Sequence, residues 1–150
     1  MSRPCDTHLA TAYHVLRYLK SSPGAGIFFS TDSDLKLCSY SDSDWASCVD
    51  THHSVTGFAI FLGSSLISWK AKKQATVSKS SSEAEYRALS STTCELQWLI
   101  YLLNDFHISH LDLALLYCDN QFAIQIDANP SFHERTKHIE LDCHLVREKV

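Results

Sequence analysis

The stretch Leu113 to Asn120, LALLYCDN, constrains the fold of this chain more than any other. An unbroken apolar run of strand length, bounded by polar sequence, predicts a strand buried on both faces, as in the parallel part of an α/β sheet. The run ends on a carboxylate, Asp119, and open α/β sheets gather their ligands at the carboxyl ends of the strands. Acids that converge on Asp119 would define a site. The chain offers Asp42 or Asp44 from one segment and Glu83 or Glu85 from another.

The other segments supply the rest of such a fold. Asp6 or Thr7 caps a first helix running to about Lys20, whose stripe Leu9, Ala12, Leu16 and Leu19 predicts packing on a neighbour before SSPGAG stops it. Ile27 to Ser30 reads as extended, and Leu35 to Asp42 alternates like a strand that ends in the acidic cluster SDSDW. After a polar loop with His52 and His53, Thr56 to Leu62 and Ser65 to Ala71 are β-rich, and Gly63-Ser64 between them signals a two-residue hairpin. A further strand near Ala75 to Val77 would complete a meander. Ser80 with Glu83 forms a capping box, and Tyr86, Leu89, Thr93, Leu96, Ile100 and Leu103 step by three and four along the longest helix. Beyond LALLYCDN, a short helix from Asn120 to about Ala128 and another from Glu134 to Lys149 flank Asn129-Pro130. The order is that of an α/β fold with an antiparallel and a parallel part.

At 150 residues and 45% apolar content, one domain with one core is expected. A net charge of -4 excludes nucleic-acid binding through bulk positive charge, so such a partner needs a local patch, for which Lys70, Lys72 and Lys73 in SWKAKKQ are the candidates. No apolar run approaches the roughly 18 residues of a membrane span, and MSRPCDTHLA lacks the apolar stretch of a signal peptide. The expectation is no membrane, and cytosol or nucleus instead of secretion. The six cysteines show no C-x-x-C pair and read as reduced, mostly buried thiols. His133, His138 and His144 beside Cys143 fit no usual zinc spacing, and Ser78 to Ser82 lack the elbow context of a serine nucleophile.

The acids point to metal chemistry. Two carboxylates beside a phosphodiester can bind a pair of divalent ions about 4 Å apart, one activating water and the other stabilising the leaving oxygen. Oxygen ligands favour magnesium or manganese. Asp42 and Asp44 face the same side of an extended segment, so either can serve; Glu83 has a capping duty, which leaves Glu85 the freer of its pair.

The succession YSDSDWAS, SVTGFAIFLGSSLISWKAKKQATVSKSSSEAEYRAL, LYCDN and NPSFHERTKHIE resembles the ribonuclease H region of copia-type retrotransposon polyproteins, over essentially the whole chain. The resemblance implies a connection segment after the reverse transcriptase at residues 1–35 and a ribonuclease H-like domain at 36–150. It implies a mixed sheet, an antiparallel meander and then parallel strands, flanked by helices. It also implies hydrolysis of the RNA strand of RNA–DNA hybrids with two magnesium ions, which manganese can replace, and a reverse transcriptase domain of the same polyprotein as partner. Carried over by position, the family's first Asp, Glu and second Asp fall on Asp42, Glu85 and Asp119. The family's fourth acid lies beyond one further strand, past Val150, so the fold is expected to lack its last strand and helix; Glu140 and Asp142 are the acids able to substitute. His52 and His53 stand where the family carries arginines, and Trp45 or Trp69 is expected in the core or packed under the site. The competing expectation is a non-catalytic, truncated remnant of a mobile element.

Overall fold

The computed structural model describes residues 3–108 and 113–120, together with Asp142 and Val146. Its elements are α1 (Asp6–Ser21), β1 (Leu37–Asp44), β2 (Val55–Leu62), β3 (Ser65–Lys73), α2 (Ser81–Asp105) and β4 (Leu115–Cys118). The four strands form one sheet in the order β3-β2-β1-β4. β1 pairs antiparallel with β2 and parallel with β4, and β2 pairs antiparallel with β3, so the sheet is mixed as the sequence predicts.

The meander is β1-β2-β3 and needs no strand at Ala75 to Val77, which lies outside the sheet. The ladder ends at Gln74, whose amide donates to Ser54 O at 2.8 Å. The extended segment Ile27 to Ser30 stays outside the sheet: Phe28 and Phe29 are exposed, and Ser30 N donates to the Ser65 hydroxyl. Good β-formers stay out of a sheet when no edge pairs with them. The two-residue hairpin forms as predicted, with Gly63 at φ 58° in the left-handed region. A Cβ at Gly63 would also collide with the Ser33 side chain and the Asp34 carbonyl.

Three other expectations are corrected. The N-cap of α1 is Cys5, whose N–H donates to His8 Nδ1 at 3.2 Å, and no residue of α1 is buried among the described residues, so its apolar stripe packs on none of them. β4 is four residues long and alternates between exposed and half-buried instead of being buried on both faces. None of the five described cysteines is buried, although all five are free thiols. Among the described residues α2 and Val146 cover one side of the sheet, and the second correction concerns the other side. On the other side Tyr40 stacks on Tyr117, 5.3 Å between ring centroids, meets Phe61 edge-on, and stands with Leu115 and Trp69 open to solvent. Trp69 is therefore outside the core, and so is the half-exposed Trp45, whose Nε1 donates to Ser78 O at 3.1 Å.

α2 begins as the sequence predicts. Ser80 Oγ accepts from Glu83 N at 3.2 Å, while Glu83 Oε2 accepts from Lys79 N at 2.8 Å, one residue before the cap. Its stripe is the core: Leu96 and Leu99 pack with Leu37, Phe58 and Ile60, and Tyr86 and Leu89 pack with Val146. The face of β1 turned to the helix is Leu37, Ser39, Ser41 and Ser43, all buried. Serines at three of these positions let the helix lie close, and Thr92 Oγ1 donates to Ser41 Oγ at 3.1 Å across the contact. The helices predicted for 120–128 and 134–149 fall outside the described residues, apart from Asp142 and Val146, which are helical. Among the described residues no helix is long and apolar enough to cross a membrane.

Candidate metal centre

Parallel pairing of β1 with β4 sets Ser41 beside Cys118, so Asp42, inside β1, and Asp119, just past β4, follow at matching positions on neighbouring strands. Glu85 approaches the same sheet end from the start of α2. It is only 7% exposed, yet its Oε2 has no hydrogen-bond partner. Its carboxyl is pushed up to about 7, first by burial and then by the charges of Asp42 and Asp119, against a stabilising bond from the Ser43 amide; Asp44 adds less. The same Ser43 N–H donates to Asp42 Oδ1 at 2.8 Å, which ties the two acids to one amide. Glu83, in contrast, is engaged by Lys79 N and by Arg87 Nη2 at 2.8 Å.

Cys118 completes the group and was not singled out by sequence reasoning. Ligand atoms of Glu85, Cys118 and Asp119 all lie within 4.8 Å of one another, and Asp42 does not belong to this tight set. Burial, then the Glu85, Asp119 and Asp42 charges, pushes the thiol up, against the Asn120 amide. The available signal was period-2 alternation in LYCDN, which turns Cys118 toward α2.

A buried carboxylate oxygen without a partner, surrounded by further acids, is a group that a cation stabilises, and the carboxylates suit magnesium or manganese. Of the substitute fourth acids, Glu140 lies outside the described residues. Asp142 sits on the flank of α2, where its Oδ1 accepts from Ser90 Oγ at 2.8 Å, and is not in the tight group.

Strand alternation splits the basic patch. Lys70 and Lys72 pair with Phe58 and Thr56 and face the helix side, and Lys70 Nζ lies 5.8 Å from the Phe58 ring centre. Lys73 faces the other way, with Nζ 2.9 Å from Cys48 Sγ. That ammonium, together with Thr51, pulls the Cys48 thiol down to about 6. Cys48 is therefore expected to be alkylated by iodoacetamide at pH 7 mostly as thiolate, and Lys73→Ala to slow the reaction about tenfold, read by mass spectrometry of the labelled peptide.

Gln74 is the second residue the sequence did not reveal. Its Nε2 donates to Thr56 Oγ1 at 3.1 Å and to Ala84 O at 2.9 Å, its Oε1 accepts from Ser78 Oγ at 3.0 Å, and its carbonyl accepts from His53 Nδ1 at 2.6 Å. One amide thus joins β2, the approach to α2 and its first turn, and so places Glu85 against β1. Gln74→Ala leaves those buried partners unsatisfied and is expected to cost about 2 kcal/mol in urea unfolding.

Over all 150 residues the chain is 45% identical to a retrovirus-related Pol polyprotein from transposon RE2 and 43% identical to one from transposon RE1, both of Arabidopsis thaliana. It is 36% identical over the same length to a retrovirus-related Pol polyprotein from transposon TNT 1-94 of Nicotiana tabacum. The chain spans only 10 to 11% of the length of these relatives. No family model and no solved structure matches it. From end to end, this chain is homologous to one segment of the retrovirus-related Pol polyproteins carried by transposons.

Proposed function

We propose that the chain is a ribonuclease H-like nuclease segment of a copia-type retrotransposon polyprotein, hydrolysing the RNA strand of RNA–DNA hybrids beside a reverse transcriptase domain of the same polyprotein. The observation that carries this reading is the buried Glu85 Oε2, without a hydrogen-bond partner and crowded by the charges of Asp42 and Asp119. Homology to Pol polyproteins supports the setting, and the mixed sheet with its antiparallel meander and parallel fourth strand supports the fold.

Asp42, Glu85 and Asp119 would hold magnesium or manganese, which supplies Lewis acidity and a bound water of lowered pKa. The protein's share is positioning. The Ser43 amide orients Asp42 and supports Glu85, and α2 fixes the Glu85 backbone through Tyr86, which is fully buried. Lys72 lies in the row Ser43–Thr56–Lys72 at the same sheet end, two strand spacings or roughly 10 Å from β1. It can meet a phosphate near the one being cut. Recognition of the hybrid by shape and 2′-hydroxyls leaves little base preference.

Incubation of a labelled RNA–DNA hybrid with the chain and magnesium tests the reading. Cleavage of the RNA strand, absent with single-stranded RNA and stopped by EDTA, is the expected result. Equal background from the chain and its Asp119→Asn variant would make it a non-catalytic remnant instead.

A further inference from the structure

A thiol inside a carboxylate site changes which cations the site prefers. Cys118 Sγ lies within 4.8 Å of ligand oxygens from both Glu85 and Asp119, and Glu85 Oε2 is buried without a partner among them. Hard ions such as magnesium take oxygen and leave a thiol alone, whereas zinc(II) and cadmium(II) bind thiolate strongly. Three donors from two elements, Glu85 on α2 and the Cys118-Asp119 pair at the end of β4, offer the thiolate and carboxylate atoms that zinc accepts, with a fourth position left for water.

We propose that Glu85, Cys118 and Asp119 form a binding site for a borderline-soft divalent cation of the zinc class, which occupies the carboxylates and excludes the hard ion. On binding, the Cys118 S–H bond breaks, its proton passes to solvent and the sulfur bonds the metal. Because Asp119 and Glu85 belong to both sets, bound zinc blocks magnesium from the shared oxygens. This inhibition rests on the nuclease reading; the binding itself does not. Regulation by zinc is thereby built into the dipeptide Cys118-Asp119.

The test is cadmium titration of the metal-free chain, read by the ultraviolet thiolate-to-cadmium absorption band, with zinc as competitor. The expected result is a saturable one-to-one band that zinc displaces and that Cys118→Ser removes, with affinity for cadmium falling about 100-fold. Circular dichroism checks that the serine variant folds. Asp119→Asn, at an exposed position, retains every thiol and is expected to weaken cadmium at least tenfold. A band of unchanged intensity in Cys118→Ser, or cadmium affinity unchanged in Asp119→Asn, overturns the proposal. Cadmium binding as expected in a chain that cleaves no hybrid with magnesium sinks the nuclease reading alone.

Discussion

Glu85→Gln is expected to abolish magnesium-dependent cleavage of RNA–DNA hybrid, by about 10³-fold or more, while making the metal-free chain more heat-stable above pH 7. The loss follows from the several kcal/mol of charge stabilisation that a bound ion contributes, each 1.36 kcal/mol being about tenfold in rate. The gain follows from the crowded acids. Folding raises Glu85 from 4.5 to about 7, so the folded chain holds a proton there that the unfolded chain releases. Its contribution to stability is complete below about pH 4.5 and is lost as pH rises through about 7. Above that, a charged Glu85 faces Asp42 and Asp119, and the neutral amide removes the repulsion. Thermal unfolding between pH 5 and 8, with and without magnesium, measures it: the wild-type midpoint should fall with pH when metal-free and recover with magnesium, and the variant should show less of both. A variant as stable as wild type at every pH and as active would remove Glu85 from the site.

Tyr86→Ala is the substitution expected to cost the most stability, about 3–5 kcal/mol. Tyr86 is fully buried between Leu89, Val146 and the half-buried Leu116 and Cys118 of β4. Truncation leaves a cavity under the strand that carries Asp119 and next to Glu85. Urea unfolding should show a lowered midpoint with little change in slope, and where the chain still folds, manganese should bind more weakly because both acids have lost their support. An unchanged midpoint would mean that the site can collapse around the missing ring.

Much of this arrangement was legible because it is local. The Ser80 cap, the stripe from Tyr86 to Leu103, and the Gly63 turn are decided by residues within a few positions of one another, and all three formed where predicted. What failed depended on partners distant in sequence. LALLYCDN reads as doubly buried, but among the described residues α2 and Val146 cover one face of the sheet, and Leu115 and Tyr117 on the other are about half exposed. The stripe of α1 likewise has no described surface beneath it. Of the candidate acids, Asp119 and Glu85 were readable from the end of LALLYCDN and the start of the α2 stripe, and the fold brings these two together. Cys118 and Gln74 were not, since a thiol and an amide acquire their roles only from what the tertiary fold brings beside them.

The parallel pairing of β1 with β4 also sets an order of events. β2 and β3 meet across a two-residue turn, and β1 joins through residues 45–54, whereas the Ser39 hydroxyl reaches Leu115 O over 76 residues of chain. Closing so large a loop costs more entropy than closing a hairpin, so it is repaid late, once α2 has docked on the meander. The acidic end of the sheet is therefore expected to come together after the meander.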